Sequence, residues 1–269
     1  MNIVVCVKYV PDATADRHFE SDSTVDRDGV DGLLSELDEY AIEQALQIKQ
    51  KQSDGADGDV TVTVLTVGPA DAADAIRKGL QMGADKGVHV VDDGIAGSDA
   101  LATSLVLAEA IKKTGSESPW DLVVCGMAST DGSMSVVPAM LAERLGVPQV
   151  TFGSEITVDG SNVKIRRDGD TATEVVEGTA PLVLSVTDQS GEARYPSFKG
   201  IMAAKKKPVE TWSLADLGVE AEKVGLSAAW TTVESTEARP PRTQGEVVTD
   251  EEGSGAAKLA EFLVSKKFI

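Results

Sequence analysis

Short apolar runs alternate with amphipathic segments along the first half of the chain. The apolar runs are continuous, as expected for strands of a parallel sheet whose two faces are covered by helices. They predict strands over residues 2–7, 59–67, 87–91 and 120–125. The intervening amphipathic patterns predict helices over 36–50, 70–82, 99–113 and 135–145. Strict alternation of strand and helix predicts a doubly wound, mostly parallel α/β sheet.

The pattern changes after Pro148. Residues 149–187 contain short alternating strands separated by Asp-Gly and Gly-Asp turns, which predict a β-meander that completes or flanks the sheet. The last part of the chain is rich in proline and acidic residues and ends in one predicted helix near 255–266, so it cannot bury a core of its own. We therefore expect an α/β domain over 1–205 and an extended C-terminal arm over 206–269 that packs on another surface.

Composition excludes two classes of partner. The 269 residues include 44 acidic residues against 25 Lys and Arg, which gives a formal net charge of −19. Such a surface repels nucleic acid and anionic lipid. Hydrophobic residues make up 42% of the chain, so the acidity coats an ordinary core and suggests adaptation to high salt. No stretch approaches the roughly 18 apolar residues of a membrane span, so membrane insertion is not expected.

Cysteine and histidine are sparse. Cys6 and Cys125 lie within apolar runs, where a thiol ordinarily serves as a small core side chain, and Cys125 as a nucleophile is the less favoured alternative. This usage is typical of a reducing cytoplasm, and the amino-terminal residues resemble a first strand rather than a signal peptide. His18 and His89 have no metal-binding or catalytic cluster around them in the sequence, so no metal is expected.

The most informative segment follows the fourth predicted strand. The strand ends at Gly126, a loop of small residues follows, and Asp131 and Gly132 lead to a helix whose first amides are free. In an open α/β sheet, ligands bind outside the carboxyl ends of the strands, and free helix amides favour phosphate. Two interpretations stay open: a nucleotide phosphate site, or a plain connection with Asp131 as a helix cap. The basic run 205–207 is either a further phosphate contact or a solvated patch.

Other glycine patterns add little. Gly253-Ser254-Gly255 is the single Gly-x-Gly string, and it follows an acidic loop rather than a strand, which disfavours a dinucleotide fingerprint.

A set of longer motifs carries a family resemblance. In chain order they are Val7-Lys8-Tyr9-Val10-Pro11-Asp12, Leu37–Ala45, Gly68-Pro69, Met82–Lys86, Asp121–Gly126, Asp131-Gly132, Arg194-Tyr195-Pro196, Gly200–Pro208 and Asp216-Leu217-Gly218. Together they resemble the electron transfer flavoprotein β subunit over residues 1 to about 218. The motif that ends at Pro208 is the most specific, and residues beyond about 220 match mainly by position.

The resemblance implies an adenine-nucleotide-binding, Rossmann-like fold and an electron-carrier subunit that is not itself an enzyme. In that family the β subunit pairs with an α subunit that holds FAD. Electrons come from flavin dehydrogenases, such as the acyl-CoA dehydrogenases of fatty acid oxidation, and leave to a membrane quinone oxidoreductase. The β subunit holds a structural AMP, whereas bifurcating relatives place a second FAD in the same pocket.

The resemblance also assigns the site. It places adenine and ribose near Cys6, the Ser35–Asp38 loop and Val67, and phosphate at Gly126 and the loop 131–137. Leu37 is expected to lie closest to the flavin of the α subunit. The full set of assigned cofactor-binding residues is Cys6, Ser35, Leu37, Asp38, Val67, Gly126, Asp131, Gly132, Ser133, Met134, Ser135, Val136 and Val137.

The chain departs from the family in the phosphate loop. Met134 and Val136 stand where the family commonly has the Thr and Gln that hydrogen-bond phosphate. Each lost bond to a charged group is worth about 1.5–3 kcal/mol, so weaker nucleotide binding or a different occupant is expected. Glu36 also adds negative charge where the family has an Asn-Pro pair.

Partner docking is assigned to Arg194, Tyr195 and Phe198. In the family an exposed apolar residue after Arg-Tyr anchors in the dehydrogenase, and Phe198 occupies that position. The alternative is that Phe198 belongs to the core.

Two other functions remain open: a bifurcating-type subunit with FAD in its pocket, and a stand-alone ATP-binding stress-type module, against which the long arm argues.

Overall fold

A computed structural model describes residues 1–53, 60–116, 118–238, 240, 245, 247, 249–250 and 253–269. Four residues on which sequence predictions rest lie outside this part of the chain: Asp59 of the second predicted strand, and Pro241, Glu251 and Glu252 of the predicted arm.

Strands and helices alternate through most of the described chain. The strands are β1 (Asn2–Cys6), β2 (Tyr9–Pro11), β3 (Gly32–Leu34), β4 (Thr61–Val67), β5 (Lys86–Val90), β6 (Leu122–Gly126), β7 (Gln149–Gly153), β8 (Glu155–Asp159), β9 (Asn162–Asp168), β10 (Thr173–Thr179), β11 (Leu182–Val186) and β12 (Val209–Trp212). The helices are α1 (Glu36–Ser53), α2 (Ala73–Met82), α3 (Ala100–Thr114), α4 (Val137–Leu145), α5 (Phe198–Ala204), α6 (Leu214–Leu217) and α7 (Gly255–Ser265).

Seven strands form the central sheet in the order β12-β5-β4-β1-β6-β11-β7, and every pairing between them is parallel. The doubly wound α/β fold is therefore confirmed. The four strands and four helices predicted from the first half of the sequence also appear. Their ends differ from the predicted ends by no more than three residues. Element ends are the least certain part of a pattern-based prediction because terminal turns fray.

The core lies on both faces of this sheet because successive side chains of a strand point to opposite faces. In β1, Ile3 and Val5 pack in the cluster that includes residues of α1 and α2, whereas Val4 and Cys6 pack in the cluster that includes residues of α3 and α4. The start of α3 shows how a capping side chain in the sequence marks the first turn of a helix. Asp99 caps α3 by accepting a hydrogen bond from the Ala102 amide at 2.9 Å.

The segment after Pro148 both completes and flanks the sheet. The strands β8, β9 and β10 form a separate antiparallel sheet in meander order, as predicted. The strands β7 and β11 instead join the central sheet as parallel neighbours. Strand β11 is buried at every residue, which is the pattern of a parallel strand covered on both faces.

The predicted boundary between residues 205 and 206 does not separate the compact units of the chain. Those units are 1–234 and 235–269. The strand β12 pairs with β5 at the edge of the central sheet, and Trp212 packs in the core beside Lys113, whose ammonium lies 4.8 Å from the ring centroid. Edge pairing and this one aromatic side chain hold 209–212 in the α/β unit, although the segment has no long apolar run.

The second unit contains α7, which begins at Gly255 as the sequence predicts. Within α7, Leu259, Phe262 and Val264 are exposed. In the described residues no helix has the length and apolar character needed to cross a bilayer.

Candidate functional site

A crevice is expected where the strand order of an open parallel sheet reverses. The chain runs from β1 to β4 and β5 on one side, with α1 and α2 in one core cluster, and then crosses to β6 on the other side of β1. The helices α3 and α4 contribute to the opposite cluster. The reversal therefore lies at β1 and β6, and ligands of such sheets bind beside the carboxyl ends of these strands.

The sequence-predicted site residues lie at this edge. Cys6 ends β1, Val67 ends β4 and Gly126 ends β6. The segment Ser35–Asp38 contains the start of α1, and the loop 131–137 leads into α4. The fold thus places these predicted positions at the carboxyl edge of three adjacent strands.

Gly126 allows the start of α1 to approach the end of β6. A Cβ atom at this position would lie 2.6 Å from Oδ1 of Asp38 and 2.7 Å from the carbonyl oxygen of Leu37. Both distances are shorter than any ordinary carbon–oxygen contact. Glycine is therefore required by a close backbone approach, and its role here is to position Leu37 and Asp38 at the crevice.

Asp38 is a buried carboxyl group that joins α1 to the chain after β1. Its Oδ2 accepts a hydrogen bond from the backbone N–H of Lys8 at 2.8 Å. Burial raises the pKa of Asp38 to about 7, and the hydrogen bonds from the amides of Lys8 and Gly126 only partly oppose this. This site residue therefore changes charge near neutral pH.

Asp131 has the opposite electrostatic environment. Its side chain is 1% exposed, and its carboxylate forms ion pairs with Lys8 Nζ at 2.8 Å and with Arg27 Nη2 at 2.7 Å. Burial alone would raise the pKa of Asp131, but the charge of Lys8 and the hydrogen bonds from Lys8, Ser129 and Arg27 hold it well below its ordinary value. Two cations thus neutralise the acidic residue of the loop.

Sequence reasoning missed Arg27 and the pairing of Lys8. Arg27 lies in the long segment between β2 and β3 and meets Asp131 across 104 residues of sequence. No local pattern reports such a contact. The side chain of Lys8, which the motif analysis named without a role, reaches Asp131 across 123 residues.

The loop before α4 presents backbone groups. Ser133 and Ser135 adopt left-handed conformations, with φ of 51° and 57°. Val136 occupies the N-cap position of α4 and supplies no side-chain hydrogen bond. The first amides of this helix therefore have no side-chain cap, which is the arrangement that favours an anion.

Two further details concern the same loop. The buried hydroxyl oxygen of Thr130 has no hydrogen-bond partner among the described residues, and its backbone N–H donates to Ser35 Oγ at 3.4 Å. Met134 is 55% exposed, so it leaves the loop surface without a polar group at that position. The polar capacity of the loop lies in its backbone and in Ser133, Ser135 and Thr130.

The predicted docking residues divide into two kinds. Tyr195 and Phe198 are 92% and 81% exposed, so the alternative that Phe198 belongs to the core is wrong. Arg194 instead turns to Glu43 of α1, donating from Nε to Oε2 at 2.6 Å and from Nη2 to Oε1 at 2.9 Å. Its backbone N–H also donates to Glu43 Oε2 at 3.1 Å. We infer that Arg194 positions the segment rather than contacting a partner.

Glu43 was missed by sequence reasoning, because the pair spans 151 residues. Its side chain is 7% exposed, and Arg194 and Gln47 hold the pKa of Glu43 below its ordinary value despite burial. Among the described residues, no group of three or more His, Cys, Asp and Glu side chains is arranged to hold a metal ion.

A parallel sheet with helices on both faces and a polar crevice where its strand order reverses defines the class of doubly wound α/β proteins that bind ligands at that point. Comparison with known proteins then gives the family. The electron transfer flavoprotein domain matches residues 22–217. The chain belongs to the electron transfer flavoprotein family, whose members are electron carriers rather than enzymes.

Individual relatives match along the whole chain. The chain is 46% identical over 270 residues to the electron transfer flavoprotein subunit beta of Mycobacterium tuberculosis, covering 100% of this chain and 99% of the relative. It is 34% identical over 275 residues to the subunit beta of Megasphaera elsdenii, with 100% of both chains covered. It is also 34% identical over 266 residues to the caffeyl-CoA reductase-Etf complex subunit CarD of Acetobacterium woodii, covering 99% and 97%.

Proposed function

We propose that this chain is the β subunit of a cytoplasmic, heterodimeric electron transfer flavoprotein whose α subunit holds FAD. The complex passes electrons from flavin dehydrogenases, such as acyl-CoA dehydrogenases, to a quinone oxidoreductase. The β subunit contributes a structural AMP site, a wall beside the flavin and a docking segment. Family membership and the names of the relatives, which are beta subunits, support the pairing with an α subunit.

The observation that carries the nucleotide site is the uncapped start of α4 at the crevice beside a neutralised Asp131. Without Lys8 and Arg27, the carboxylate of Asp131 would repel a phosphate group. With both cations within 2.9 Å of Asp131, the loop presents free amides and little net negative charge. Anions bind at such helix starts because the amides and the helix dipole both favour negative charge.

The donor set fits a nucleoside monophosphate held mainly by backbone groups. Thr130 has a buried hydroxyl oxygen without a partner among the described residues, and Ser133 and Ser135 supply two more hydroxyl groups. The cofactor-binding set assigned by resemblance, from Cys6 to Val137, is proposed for adenine, ribose and phosphate. Since Met134 and Val136 offer no hydrogen bond, the AMP of this subunit is bound less tightly than one held by Thr and Gln at those positions.

The flavin wall is assigned to the start of α1. Leu37 is half-buried at the edge of the crevice and is held there by the close approach of Gly126. When bound to the α subunit, FAD would accept and release electrons one at a time. The arm after Glu234 is proposed to pack on the α subunit, because its helix α7 carries exposed apolar side chains.

The test is to co-express the chain with a candidate α subunit, purify the complex and quantify the nucleotides released on denaturation. One FAD and one AMP per heterodimer is the expected result. Two FAD per heterodimer would replace this proposal by the bifurcating type. A stable monomer or homodimer that binds ATP and ignores the α subunit would instead support the stress-type module.

Docking is tested separately with Phe198→Ala. The variant is expected to slow reduction of the complex by an acyl-CoA dehydrogenase while leaving its flavin content unchanged, because an exposed aromatic residue is the kind that dominates an interface. Val175→Ala is the matched control, since Val175 is 62% exposed on the separate antiparallel sheet. Unchanged kinetics for Phe198→Ala would remove the anchor.

The CarD relative favours a second candidate function, a bifurcating-type subunit that works with a different partner enzyme. Its name places a protein of this family, 34% identical to the chain, in a complex with a CoA-ester reductase. In that case the β pocket would hold a second FAD, and the nucleotides released from the purified heterodimer would be two FAD and no AMP.

A further inference from the structure

The two cysteines of the chain lie next to each other on adjacent strands. The strands β1 and β6 pair in parallel with Val5 opposite Val124, so the next positions in register are Cys6 and Cys125. Both side chains belong to the same core cluster, which places them on one face of the sheet. The neighbouring Cys6 side chain and burial together hold the pKa of the Cys125 thiol above its ordinary value.

The pair sits at the carboxyl edge of the sheet, and both cysteines are buried. Cys6 is the last residue of β1, and Cys125 precedes Gly126 at the end of β6. Their side chains are 8% and 5% exposed. The nucleotide site as proposed above begins at the same two strand ends, so a ligand of the thiol pair and a nucleotide would occupy neighbouring space.

The chemistry of the pair restricts its ligand. Thiolate sulfur is a soft donor that selects soft ions over Mg²⁺ or Ca²⁺. A structural zinc site needs four ligands, and the described residues hold no group of three or more His, Cys, Asp and Glu side chains placed to ligate one ion. The bound ion must therefore be one that needs only two sulfur atoms from the protein.

We propose that Cys6 and Cys125 form a dithiol site for a soft, thiophilic ion of low coordination number, represented by trivalent arsenic, and that its occupation competes with the nucleotide. With an aryl arsenoxide the step is a condensation: two S–H bonds and the As=O bond break, two As–S bonds form, and water leaves with both protons. No electrons are transferred. The dithiol site does not depend on the proposed function. Only its competition with the nucleotide rests on that function.

The experiment uses phenylarsine oxide and the full chain, which has 2 cysteines in all. One arsenical per chain is expected, with both thiols lost to a thiol reagent after denaturation and a mass increase of one phenylarsenic group. Cys6→Ala and Cys125→Ala are matched controls, each expected to bind the arsenical on the order of 10²-fold more weakly, because a second intramolecular contact is lost. Their folding is checked by circular dichroism.

The wild-type chain alone can overturn the proposal. Two arsenicals per chain, or one arsenical with a thiol still free, would show that the sulfur atoms act separately. Competition is read from the same titration in AMP. At a free AMP concentration of about 100 times its Kd, the apparent affinity for the arsenical should fall about 100-fold. Tight dithiol binding that AMP does not affect would leave the site standing, refute the competition and contradict the proposed position of the nucleotide.

Discussion

Asp38 is expected to make the folded chain less stable as pH rises toward neutrality. Its pKa is raised by burial from 3.8 to about 7, so the folded state holds a proton that the unfolded state has lost at intermediate pH. Stability falls with pH wherever the folded state binds more protons than the unfolded state. The loss begins above about pH 4 and levels off only above pH 7, because Asp38 is half ionised at its folded-state pKa.

The magnitude follows from the width of that interval. Each pH unit between the two pKa values is worth about 1.4 kcal/mol. Because the slope falls to half that value at the folded-state pKa, the free energy of unfolding of the wild type should decrease by about 2 kcal/mol between pH 5 and pH 7 relative to Asp38→Asn. The variant keeps a carbonyl oxygen that can accept the hydrogen bond from the Lys8 amide, and it has no charge to bury.

Asp131→Asn provides the contrast within the same site. The pKa of Asp131 is lowered by its cations, so the carboxylate contributes stability that is present above its unfolded pKa and is lost as pH falls toward its folded pKa. This variant should be less stable than wild type by about 1–3 kcal/mol, since Lys8 and Arg27 are half exposed and retain water. Between pH 5 and 8 that difference should change little, because both pKa values of Asp131 lie below this range and its charge is the smallest cause of the raised pKa of Asp38.

Urea unfolding followed by circular dichroism at pH 5, 6, 7 and 8 measures all three chains. The difference between wild type and Asp38→Asn should change by about 2 kcal/mol between pH 5 and 7, whereas the difference between wild type and Asp131→Asn should change much less. Parallel curves for wild type and Asp38→Asn would refute the assignment of a buried, protonated carboxyl group at this position.

Three further predictions concern packing, docking and salt. Gly126→Ala should lower the free energy of unfolding by about 1–3 kcal/mol, because its Cβ would meet backbone atoms of Leu37. Gly132→Ala should change it by no more than about 0.5 kcal/mol in urea melts, because its Cβ would meet only side-chain atoms, Ser129 Oγ at 3.3 Å and Lys8 Nζ at 3.9 Å. Glu43→Gln should raise the KM of the complex for a dehydrogenase more than it changes kcat, because the Arg194 pair that positions the docking segment is weakened; equal effects on both constants would contradict this. The melting temperature should fall as salt is lowered below molar levels, given a net charge of −19, and an unchanged value would count against salt adaptation.

Local patterns were sufficient to predict four of the seven strands of the central sheet. Each of its first four strands is a continuous apolar run, and each run is followed by an amphipathic segment of helical length. The same logic identifies the carboxyl edge as the site, because strand order in a doubly wound sheet brings those ends together. Gly126 was placed at this edge from the strand pattern, whereas Cys6 and Val67 were assigned to the site by the family resemblance; the structure has all three at strand ends.

Contacts across long sequence separations could not be predicted in this way. Arg27 and Asp131 are 104 residues apart, and Arg194 and Glu43 are 151 apart. Arg27 and Glu43 look like ordinary surface charges in their own segments, and no local pattern gives the partner of Asp131 or of Arg194. Strand β12 was missed for a related reason: its first three residues are exposed, and its position depends on edge pairing with β5 rather than on its own pattern.

The proposed flavin wall and the docking segment are linked through α1. Leu37 lies in its first turn at the crevice, and Glu43 lies further along the same helix, where it holds Arg194. At 1.5 Å per residue the two positions are separated by about 9 Å along a rigid rod. A dehydrogenase that docks on Phe198 is therefore held at a fixed distance from the flavin-facing end of α1. On the proposed function, the buried Glu43 carboxylate is therefore expected to act through the position of the docking segment, which is the reason that Glu43→Gln should change KM more than kcat.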